Sequence, residues 1–547
     1  MSRTPKSSKI KQKQLNKIIQ LHKNKQFELT KKEALKLLKI EPNNTTILKI
    51  LINVSDSLDD KKSLLLKLIY LEPKYNQAYI DLYYIYRNEN DYIKAKSICL
   101  EAINLFPSKA SGYIILSDLY QNDSKYTLAK EAYEEGMIAD SVHIDLKFLY
   151  GLLCLKMGDY KKGFEFYRYR YHENKINGHT TLKFPEGLLE KGTDIKGKTV
   201  LFTDDQGYGD MIQFIRYIPI FENMGAKVQI IVHKLLHKLF AFNYPQCIVT
   251  TNKLSIDYHA PLIDAVYFLE TSPQTIPFQD GYLTVDQNDS NLMHNKYFSG
   301  ITKKKIGIIW RSNSRNEESF SEKKYRQESN CSLDDFLKFF NLDNIQLFSL
   351  QVSVTDEEKE LLYKNNILSL GDNFVDFYDN AVIIDNLDIV IGIGTASVLI
   401  AGAMGKKAIA LISHQSYWIW GIDSIRMDWF RNISIVRKEK NDDWNTTLEK
   451  AAQLEVFEKN IDTVAALMNI AIEHHQNMNL EEAESCYRKV LVKEPENADA
   501  YHYLGLIAFQ TGHAQQAIVL IQKAIKLNPT LDEAYENLQK IITQLSK

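Results

Sequence analysis

The chain has 547 residues, of which 25% are charged, and its formal net charge at pH 7 is only −2. A chain of this length needs more than one hydrophobic core, and roughly three to four domains are expected. The near balance of charge provides no overall field of the kind that attracts nucleic acid, so no nucleic-acid partner is predicted.

The five cysteines are scattered along the chain and show no Cys-x-x-Cys spacing. This pattern is typical of a reducing compartment and predicts no zinc site. The longest uncharged apolar run, at 389–404, is short for a membrane span and is interpreted as a buried strand that leads into a helix. We therefore expect a cytoplasmic protein without a transmembrane segment, a metal or a resident cofactor.

Residues 1–178 carry a degenerate repeat of helical hairpins. Pro73 and Pro107 lie 34 residues apart, and alanines and tyrosines recur between them at helical spacing. We predict about four hairpins between residues 10 and 172.

Residues 179–195 form the predicted linker, after which the sequence changes character. From Lys196 short β-favouring runs alternate with helical patterns, which predicts parallel sheets that bind ligands at their carboxyl edges. The predicted strands are Val200–Thr203, Val228–Val232, Ile248–Thr251, Ile306–Trp310, Leu347–Gln351, Ile389–Ile393 and Ala408–Ile412. Helices are predicted at 211–218, 333–341, 356–364 and 376–386. The span 282–304 holds no confident element beyond YLTV and is interpreted as the hinge between two halves.

Residues 456–547 contain the clearest repeat. Pro495 and Pro529 are 34 residues apart, and small residues such as Gly505 and Ala517 stand where two helices of a hairpin must approach closely. This pattern resembles the tetratricopeptide repeat family, and residues 530–545 resemble the helix that ends such an array. Stacked hairpins of this kind form concave surfaces that hold partner proteins.

The most informative segment is TVLFTDDQGYGDMIQFIRYIP at 199–219. A strand, a glycine turn and a helix follow one another, and Asp210 is predicted to stand at the helix N-cap, with Pro219 ending the helix. Such a turn directs backbone N–H groups and a positive dipole end toward a ligand at the sheet edge.

Residues 196–455 resemble the glycosyltransferase module that accompanies tetratricopeptide repeats in bacterial proteins, which is related to the heptosyltransferases. The resemblance rests on motifs whose order and spacing agree over about 260 residues: QGYGDMIQFIRYIP, IDYHAPLID, IGIIWRSN, LFSLQ, DFYDNAVIIDNLDIVIGIGTA, AGAMGKKAIALI and YWIWGIDSIRMDWF. It implies an α/β GT-B core of two Rossmann-like lobes, at about 196–290 and 303–455, flanked by all-α repeat arrays.

The resemblance also implies an inverting, metal-independent transfer of a hexosyl or heptosyl group from a nucleotide-sugar to a protein or glycan acceptor. In the family the aspartate of the glycine turn is the proposed base, here Asp210; capping of its helix is the alternative role. The implied donor- and substrate-binding residues are Gln206, Gly207, Gly209, Trp310, Ser312, Asn313, Arg326, Gly394, Thr395 and Ala396. At Arg326, a solvated charge run is an equally weighted alternative.

Three positions depart from the family. Gly394 replaces its usual aspartate, Leu399 replaces its usual histidine, and an expected arginine is missing near Ser329 and Asn330. These departures leave two hypotheses, an active glycosyltransferase or an inactive scaffold that mediates protein–protein interaction. Trp418, Trp420 and Trp429 are predicted either to stack on a ligand or to close the seam between the lobes.

Overall fold

The structure is a computed structural model that describes residues 5–172, 187–204, 207–245, 247–248, 256–312, 328–340, 344–422, 425–440, 442–460 and 464–545. The chain separates into two compact units. The first comprises residues 1–336 and 341–441, and the second comprises 337–340 and 442–547. The predicted boundary at 455–456 falls inside the helix Trp444–Asn460 of the second unit.

The first unit begins with ten consecutive helices that pair into five hairpins, where about four were predicted. Their bounds are Pro5–Lys23, Phe27–Ile40, Thr45–Val54, Leu58–Leu71, Asn76–Asn88, Tyr92–Leu105, Ala110–Asn122, Tyr126–Ala139, Ile144–Lys156 and Tyr160–Tyr167. Each helix packs against the next along the chain, as expected for a helical repeat array.

Local sequence explains both the ends and the packing of these helices. At the starts of their helices, Asn44, Asp91 and Asp159 accept hydrogen bonds from backbone N–H groups. Asparagine and aspartate are among the preferred residue types at the N-cap. A Cβ at Gly151 would lie 2.7 Å from the backbone nitrogen of Tyr167, so glycine is required where the last two helices cross.

The array is joined to the rest of the first unit by buried polar contacts. Arg170 follows the last hairpin and donates to Asp264 at 2.7 Å, and the Asp264 side chain is completely buried. The hydroxyl of Tyr160 donates to Asp428 at 2.8 Å. Because a buried carboxylate is stable only with its partner, the Arg170 contact holds the array in place.

After the array the chain forms a four-stranded parallel sheet with the order β3-β2-β1-β4. Its strands are β1 Thr199–Thr203, β2 Lys227–Ile231, β3 Cys247–Ile248 and β4 Tyr258–Pro261. The accompanying helices are Tyr208–Phe214, Ile218–Asn223, Lys234–Asn243 and Ala265–Phe268.

A second sheet has seven strands in the order β10-β11-β9-β8-β5-β6-β7, all parallel except β10. The strands are β5 Lys304–Ile309, β6 Ile345–Ser349, β7 Leu368–Ser369, β8 Ile389–Ile393, β9 Lys407–Ile412, β10 Arg426–Met427 and β11 Phe430–Arg437. The helices between them are Leu333–Phe340, Asp356–Lys364, Phe377–Asp385 and Ala396–Ala403.

The predicted strands all occur, with ends shifted by a few residues, and residues 249–251 of the third lie outside the described residues. Four strands were missed, namely β4, β7, β10 and β11. The span 282–304 is not without structure, since Gln287–Met293 is a helix capped by Asp286. Pro219 does not end a helix either; it lies in the first turn of Ile218–Asn223, where its missing N–H is harmless.

Within the described residues the second unit contains six whole helices and the last four residues of Leu333–Phe340. The six helices are Trp444–Asn460, Val464–Gln476, Leu480–Lys493, Ala498–Gln510, Ala514–Leu527 and Asp532–Leu545. A Cβ at Gly505 would lie 2.5 Å from Ile521, which explains the small residue predicted there.

The apolar run at 389–404 divides into the buried strand β8 and the helix Ala396–Ala403, as predicted. None of the helices in the described ranges combines the length and the apolar character that crossing a membrane requires.

Candidate functional site

The topology of each sheet predicts a crevice at the carboxyl edge of its first strand. In the first sheet β1 lies between β2 and β4, so the chain leaves β1 toward one side and later returns on the other. The second sheet repeats this arrangement with β5 between β6 and β8. In open parallel sheets ligands bind at such points of reversal, because the adjoining loops diverge there.

The first crevice is bordered by the turn that leads into Tyr208–Phe214. The helix is capped by Gly207, whose φ of −78° is open to any residue, and Asp210 lies in the first turn. The prediction that Asp210 is the N-cap is therefore wrong. Its partly exposed carboxylate still lies at the positive end of the helix, where negative charge is stabilising.

Gly209 is the point where the two sheets' helices touch. A Cβ at this position would lie 3.0 Å from Cδ1 of Leu399, which belongs to the helix Ala396–Ala403. The buried Leu399 stands where the resembling family has histidine, and here it packs against the first turn. This contact brings the turn of Asp210 beside the turn that follows β8.

The second turn is Gly394, Thr395 and Ala396, which follows β8. Gly394 is exposed, and a Cβ there would lie 2.9 Å from the ring of Trp420 and 3.0 Å from Ile412. The side-chain space that an aspartate would need is thus already filled by Trp420.

Thr395 is the N-cap of the following helix by backbone geometry, but its side chain makes no cap hydrogen bond. Its Oγ1 atom is buried and has no hydrogen-bond partner within the described ranges. A buried hydroxyl without a partner costs roughly 1–3 kcal/mol, so a bound group that pairs with it would be favoured.

The loop after β5 is held together by internal hydrogen bonds. Trp310 is 1% exposed and its indole N–H donates to Glu358 at 2.6 Å. This hydrogen bond gives the Trp310 side chain a partner within the protein, and its predicted place in the donor-binding loop stays a prediction. The backbone N–H of Ser312 donates to Asn330 at 3.0 Å, at the position where the family's arginine is missing.

Arg311, which the sequence analysis passed over, donates to both carboxylate oxygens of Glu358, at 3.1 and 2.7 Å. Burial by itself would raise the pKa of Glu358, but hydrogen bonds from Arg311, Thr355 and Trp310 lower it on balance. The Arg311–Glu358 pair fixes the loop after β5, which borders the candidate site.

The three tryptophans close a seam. Trp418, Trp420 and Trp429 are 3%, 5% and 0% exposed, so their faces are not available for stacking on a ligand. Trp418 stacks with Phe214 of the first-sheet region, with ring centres 6.3 Å apart. It also contacts Phe164 of the array edge to face, with ring centres 5.5 Å apart. Of the two roles predicted for these tryptophans, their burial and contacts support closure of a seam and not stacking on a ligand.

Tyr417, which precedes these tryptophans, is a second residue that sequence reasoning missed. Loss of hydration among the surrounding protein atoms raises the pKa of Tyr417 well above its usual value, and the negative charge of Asp210 raises it further. This holds although 36% of the side chain is exposed. Tyr417 therefore stays protonated near the Asp210 carboxylate. Its place in the quoted motif beside three tryptophans was the available signal.

Gln206, Asn313 and Arg326 lie outside the described residues. Within the described ranges no three His, Cys, Asp or Glu side chains come together as a metal site.

Comparison with known proteins identifies the repeat directly. The model of the tetratricopeptide repeat family matches residues 498–531. Protein FlbA of Caulobacter vibrioides is 23% identical over 339 residues, covering 56% of this chain and 54% of FlbA. The chain thus matches about half the length of this relative.

Among solved structures, a MamA protein is 19% identical and covers 32% of this chain and 97% of its own, with a TM-score of 0.27. PilF of Pseudomonas aeruginosa is 13% identical and covers 44% of this chain and 93% of its own, with a TM-score of 0.29. The repeat itself is shown by the family match at residues 498–531.

Proposed function

We propose that the chain is a glycosyltransferase that transfers a sugar from a nucleotide-sugar to an acceptor recruited by its helical repeats. One observation carries this proposal. The contact between Gly209 and Leu399 places the Asp210 turn of the first sheet beside the Gly394–Ala396 turn of the second. A carboxylate and a set of backbone N–H groups then border one cleft, as transfer from a diphosphate leaving group requires.

In this proposal Asp210 accepts the proton of the acceptor hydroxyl as that oxygen attacks the sugar. The bond to the diphosphate breaks, and the departing oxygens are held by the N–H groups that open the helix Ala396–Ala403 and by the hydroxyl of Thr395. Tyr417 stays protonated, so its hydroxyl acts as a dipole near the Asp210 carboxylate.

The recruiting role falls to the repeats. The match to the tetratricopeptide family at 498–531 supports a protein-binding function, because stacked hairpins present concave surfaces to peptides. An acceptor protein held there would be tethered to the catalytic unit, which raises its effective concentration.

A second candidate is an inactive scaffold, and two contacts favour it. Trp420 fills the side-chain space beside Gly394, and Leu399 packs where the family's histidine would reach the cleft. If these contacts abolish donor binding, the repeats alone carry the function.

The deciding experiment compares transfer by the wild type, Asp210→Asn and Asp334→Asn. Asp334 also lies in the first turn of a helix and is exposed, which makes it a matched control. We expect turnover to fall by about 10²–10⁴-fold in Asp210→Asn, the range for a positioned base, and to be unchanged in Asp334→Asn.

Nucleoside diphosphate binding should persist in Asp210→Asn, since the diphosphate is held by the other turn. EDTA should leave wild-type turnover unchanged. Equal turnover of Asp210→Asn and wild type removes Asp210 from catalysis. A wild type that binds no nucleoside diphosphate and transfers no sugar supports the scaffold.

A further inference from the structure

Three helices of the second unit are joined along one side, which we call the inner face of the second array. They are Val464–Gln476, Ala498–Gln510 and Asp532–Leu545. Nε2 of His475 in the first helix lies 2.9 Å from Oε1 of Gln510 in the second. Nε2 of His502 in the second helix lies 3.1 Å from Nδ2 of Asn537 in the third. Both pairs are 35 residues apart, so the same side of successive repeats meets at each contact.

Aromatic rings lie at the centre of the inner face. The rings of Tyr503 and Tyr487 are stacked, with centres 5.3 Å apart and planes inclined by 7°. The ring of His475 meets both tyrosines edge to face, with centres 6.2 and 6.3 Å away. Tyr503 is half-buried, so part of its side chain is accessible. Tyr487 is completely buried, and its hydroxyl has no hydrogen-bond partner within the described ranges.

Two carboxylates flank these rings. Asp499 precedes His502 and Tyr503 by three and four residues, so it lies one helical turn away on the same side of its helix. Glu533 precedes Asn537 by four residues and is placed in the same way on the last helix. Because Asn537 contacts His502, the two carboxylates border the same face. Both side chains are exposed.

The negative charges of Asp499 and Glu533 are not balanced by a neighbour. Neither residue forms an ion pair within the described ranges, whereas Glu536 on the last helix pairs with Lys540 at 3.7 Å. Burial lowers the pKa of His502 against the opposing effect of the two carboxylates, so this ring is neutral at pH 7.5. Both carboxylates are therefore available to a cation from outside the chain.

The first array carries a different arrangement at its equivalent contact. Tyr83 and Asp118 are also 35 residues apart, and the tyrosine hydroxyl donates to the carboxylate. Nε of Arg87 lies 3.1 Å from the same carboxylate. A carboxylate that already has a cation beside it gains less from a second one. The unbalanced charge is thus a property of the second array.

We propose that the inner face of the second array binds a basic peptide segment of a partner protein. An arginine of that segment stacks on Tyr503, and neighbouring basic side chains pair with Asp499 and Glu533. Arginine suits this face better than lysine, because its planar guanidinium stacks on aromatic rings and forms two parallel hydrogen bonds to a carboxylate. Packed helices lie about 10 Å apart, so about six to eight extended residues span the three. This partner chemistry rests on the recruiting role that the proposed function gives to the repeats.

The test measures binding of a fluorescent octapeptide of alternating arginine and alanine to the full chain at pH 7.5, by fluorescence anisotropy. A control peptide has citrulline in place of arginine, which keeps nearly the same shape without the charge. We expect the arginine peptide to bind about tenfold more tightly than the citrulline peptide. Equal binding of the two overturns the inference, as does equally tight binding of a peptide of alternating glutamate and alanine.

Two double variants separate the inner face from charge in general. Asp499→Asn with Glu533→Gln removes both proposed partners, and Glu481→Gln with Glu482→Gln is the control. All four carboxylates are exposed and lie in the first turn of a helix, so net charge and the interaction with the helix dipole change alike. We expect the arginine peptide to bind about fivefold more weakly to the first double variant and unchanged to the control. Equal affinity of the two double variants contradicts the proposed pairing.

Tyr503→Leu tests the stacking contact, with Tyr535→Leu as the control because Tyr535 is 46% exposed on the last helix. Loss of the ring should weaken arginine-peptide binding about threefold for Tyr503→Leu alone. The carboxylate variants replace exposed side chains only, so they decide the question if Tyr503→Leu does not fold.

Peptide binding is measured without sugar transfer, which keeps this inference distinct from the proposed function. Arginine-peptide binding that depends on Asp499 and Glu533 supports the inner face even if the wild type shows no turnover, and the scaffold then carries the function. Turnover without any such binding overturns the inner face and leaves the transferase standing.

Discussion

Gly209 and Gly394 lie where one added carbon atom would crowd a neighbouring side chain. Neither has a positive φ, so glycine is needed there for space and not for backbone freedom. Gly209 allows Leu399 to approach, and Gly394 allows Trp420 to lie against the turn. At both positions a neighbouring side chain occupies the space that a larger residue would need.

The contact at Gly394 predicts a specific loss of stability. Gly394→Ala places a Cβ 2.9 Å from the Trp420 ring, and overpacking of this kind costs about 1–3 kcal/mol in the free energy of unfolding. Denaturant unfolding of Gly394→Ala, Trp420→Phe and the double variant measures it.

The smaller ring of phenylalanine should relieve the clash, so the alanine should cost less in the double variant than in the single one. An equal cost in both backgrounds would show that Trp420 is not what Gly394 accommodates.

Arg216 is a completely buried cation that donates to three carbonyl oxygens and to the Tyr282 hydroxyl. It donates to Gln213 at 2.8 Å and Trp429 at 2.7 Å, and its guanidinium lies 4.3 Å from the ring centre of Phe430. We expect Arg216→Met to lower the free energy of unfolding by about 3 kcal/mol, because hydrogen bonds from a charged group are strong and their acceptors are left unpaired.

Arg431→Met is the control for that measurement. Arg431 is exposed and pairs with Asp280 at 2.9 Å, so its loss should cost less than about 1 kcal/mol. Similar losses for the two variants in urea unfolding would contradict the assigned role of Arg216.

At the scale of elements, the repeat array and the second sheet meet through two short segments. The end of Ala110–Asn122 contacts the loop after β9, and Tyr160 packs against Trp429 with ring centres 5.1 Å apart. The second contact also includes the hydrogen bond from Tyr160 to Asp428, and the first includes the ring of His414, whose protonation depends on pH.

The polar contact predicts a dependence on pH. Burial lowers the pKa of His414, so the folded state favours the neutral ring. The stabilisation is complete above the unfolded-state pKa of about 6.5 and is lost as the pH falls through the lower folded-state value.

We therefore expect the wild type to lose more free energy of unfolding between pH 7.5 and pH 5 than His414→Gln does. Urea unfolding at the two pH values measures the difference. An identical decrease in both proteins would show that His414 does not titrate in this range.

At the scale of the whole molecule, the residues of the candidate site lie in one of the two compact units. Asp210 and Gly394–Ala396 belong to the first unit, whereas the family match at 498–531 belongs to the second. The proposed catalytic and donor-binding residues and the repeat matched by the family model therefore lie in different compact units.

This division predicts the effect of truncation. A chain that ends at residue 460 should still bind nucleoside diphosphate, because it retains both turns, but should lose recruitment of an acceptor that depends on the second array. Calorimetric titration of the folded truncation against the full chain tests this expectation. Loss of binding in a folded truncation would assign the second array to the site.

Local patterns of the sequence were sufficient for the long and periodic elements. The repeats follow from proline spacing and small residues, and the central strands of the second sheet follow from buried apolar runs such as Ile389–Ile393. Short edge strands such as Leu368–Ser369 were missed because two residues carry no period of their own, and their pairing with a neighbouring strand defines them.

Tertiary structure alone decided how these elements combine. The sequence identified Gly209, Gly394 and Leu399 as unusual, but only the fold shows Leu399 against Gly209 and Trp420 against Gly394. The same holds for Tyr417 near Asp210 and for Lys156 near Arg437, residues far apart along the chain. Periodicity reports which face of an element is buried, whereas the neighbour that covers that face is set by the packing of distant segments.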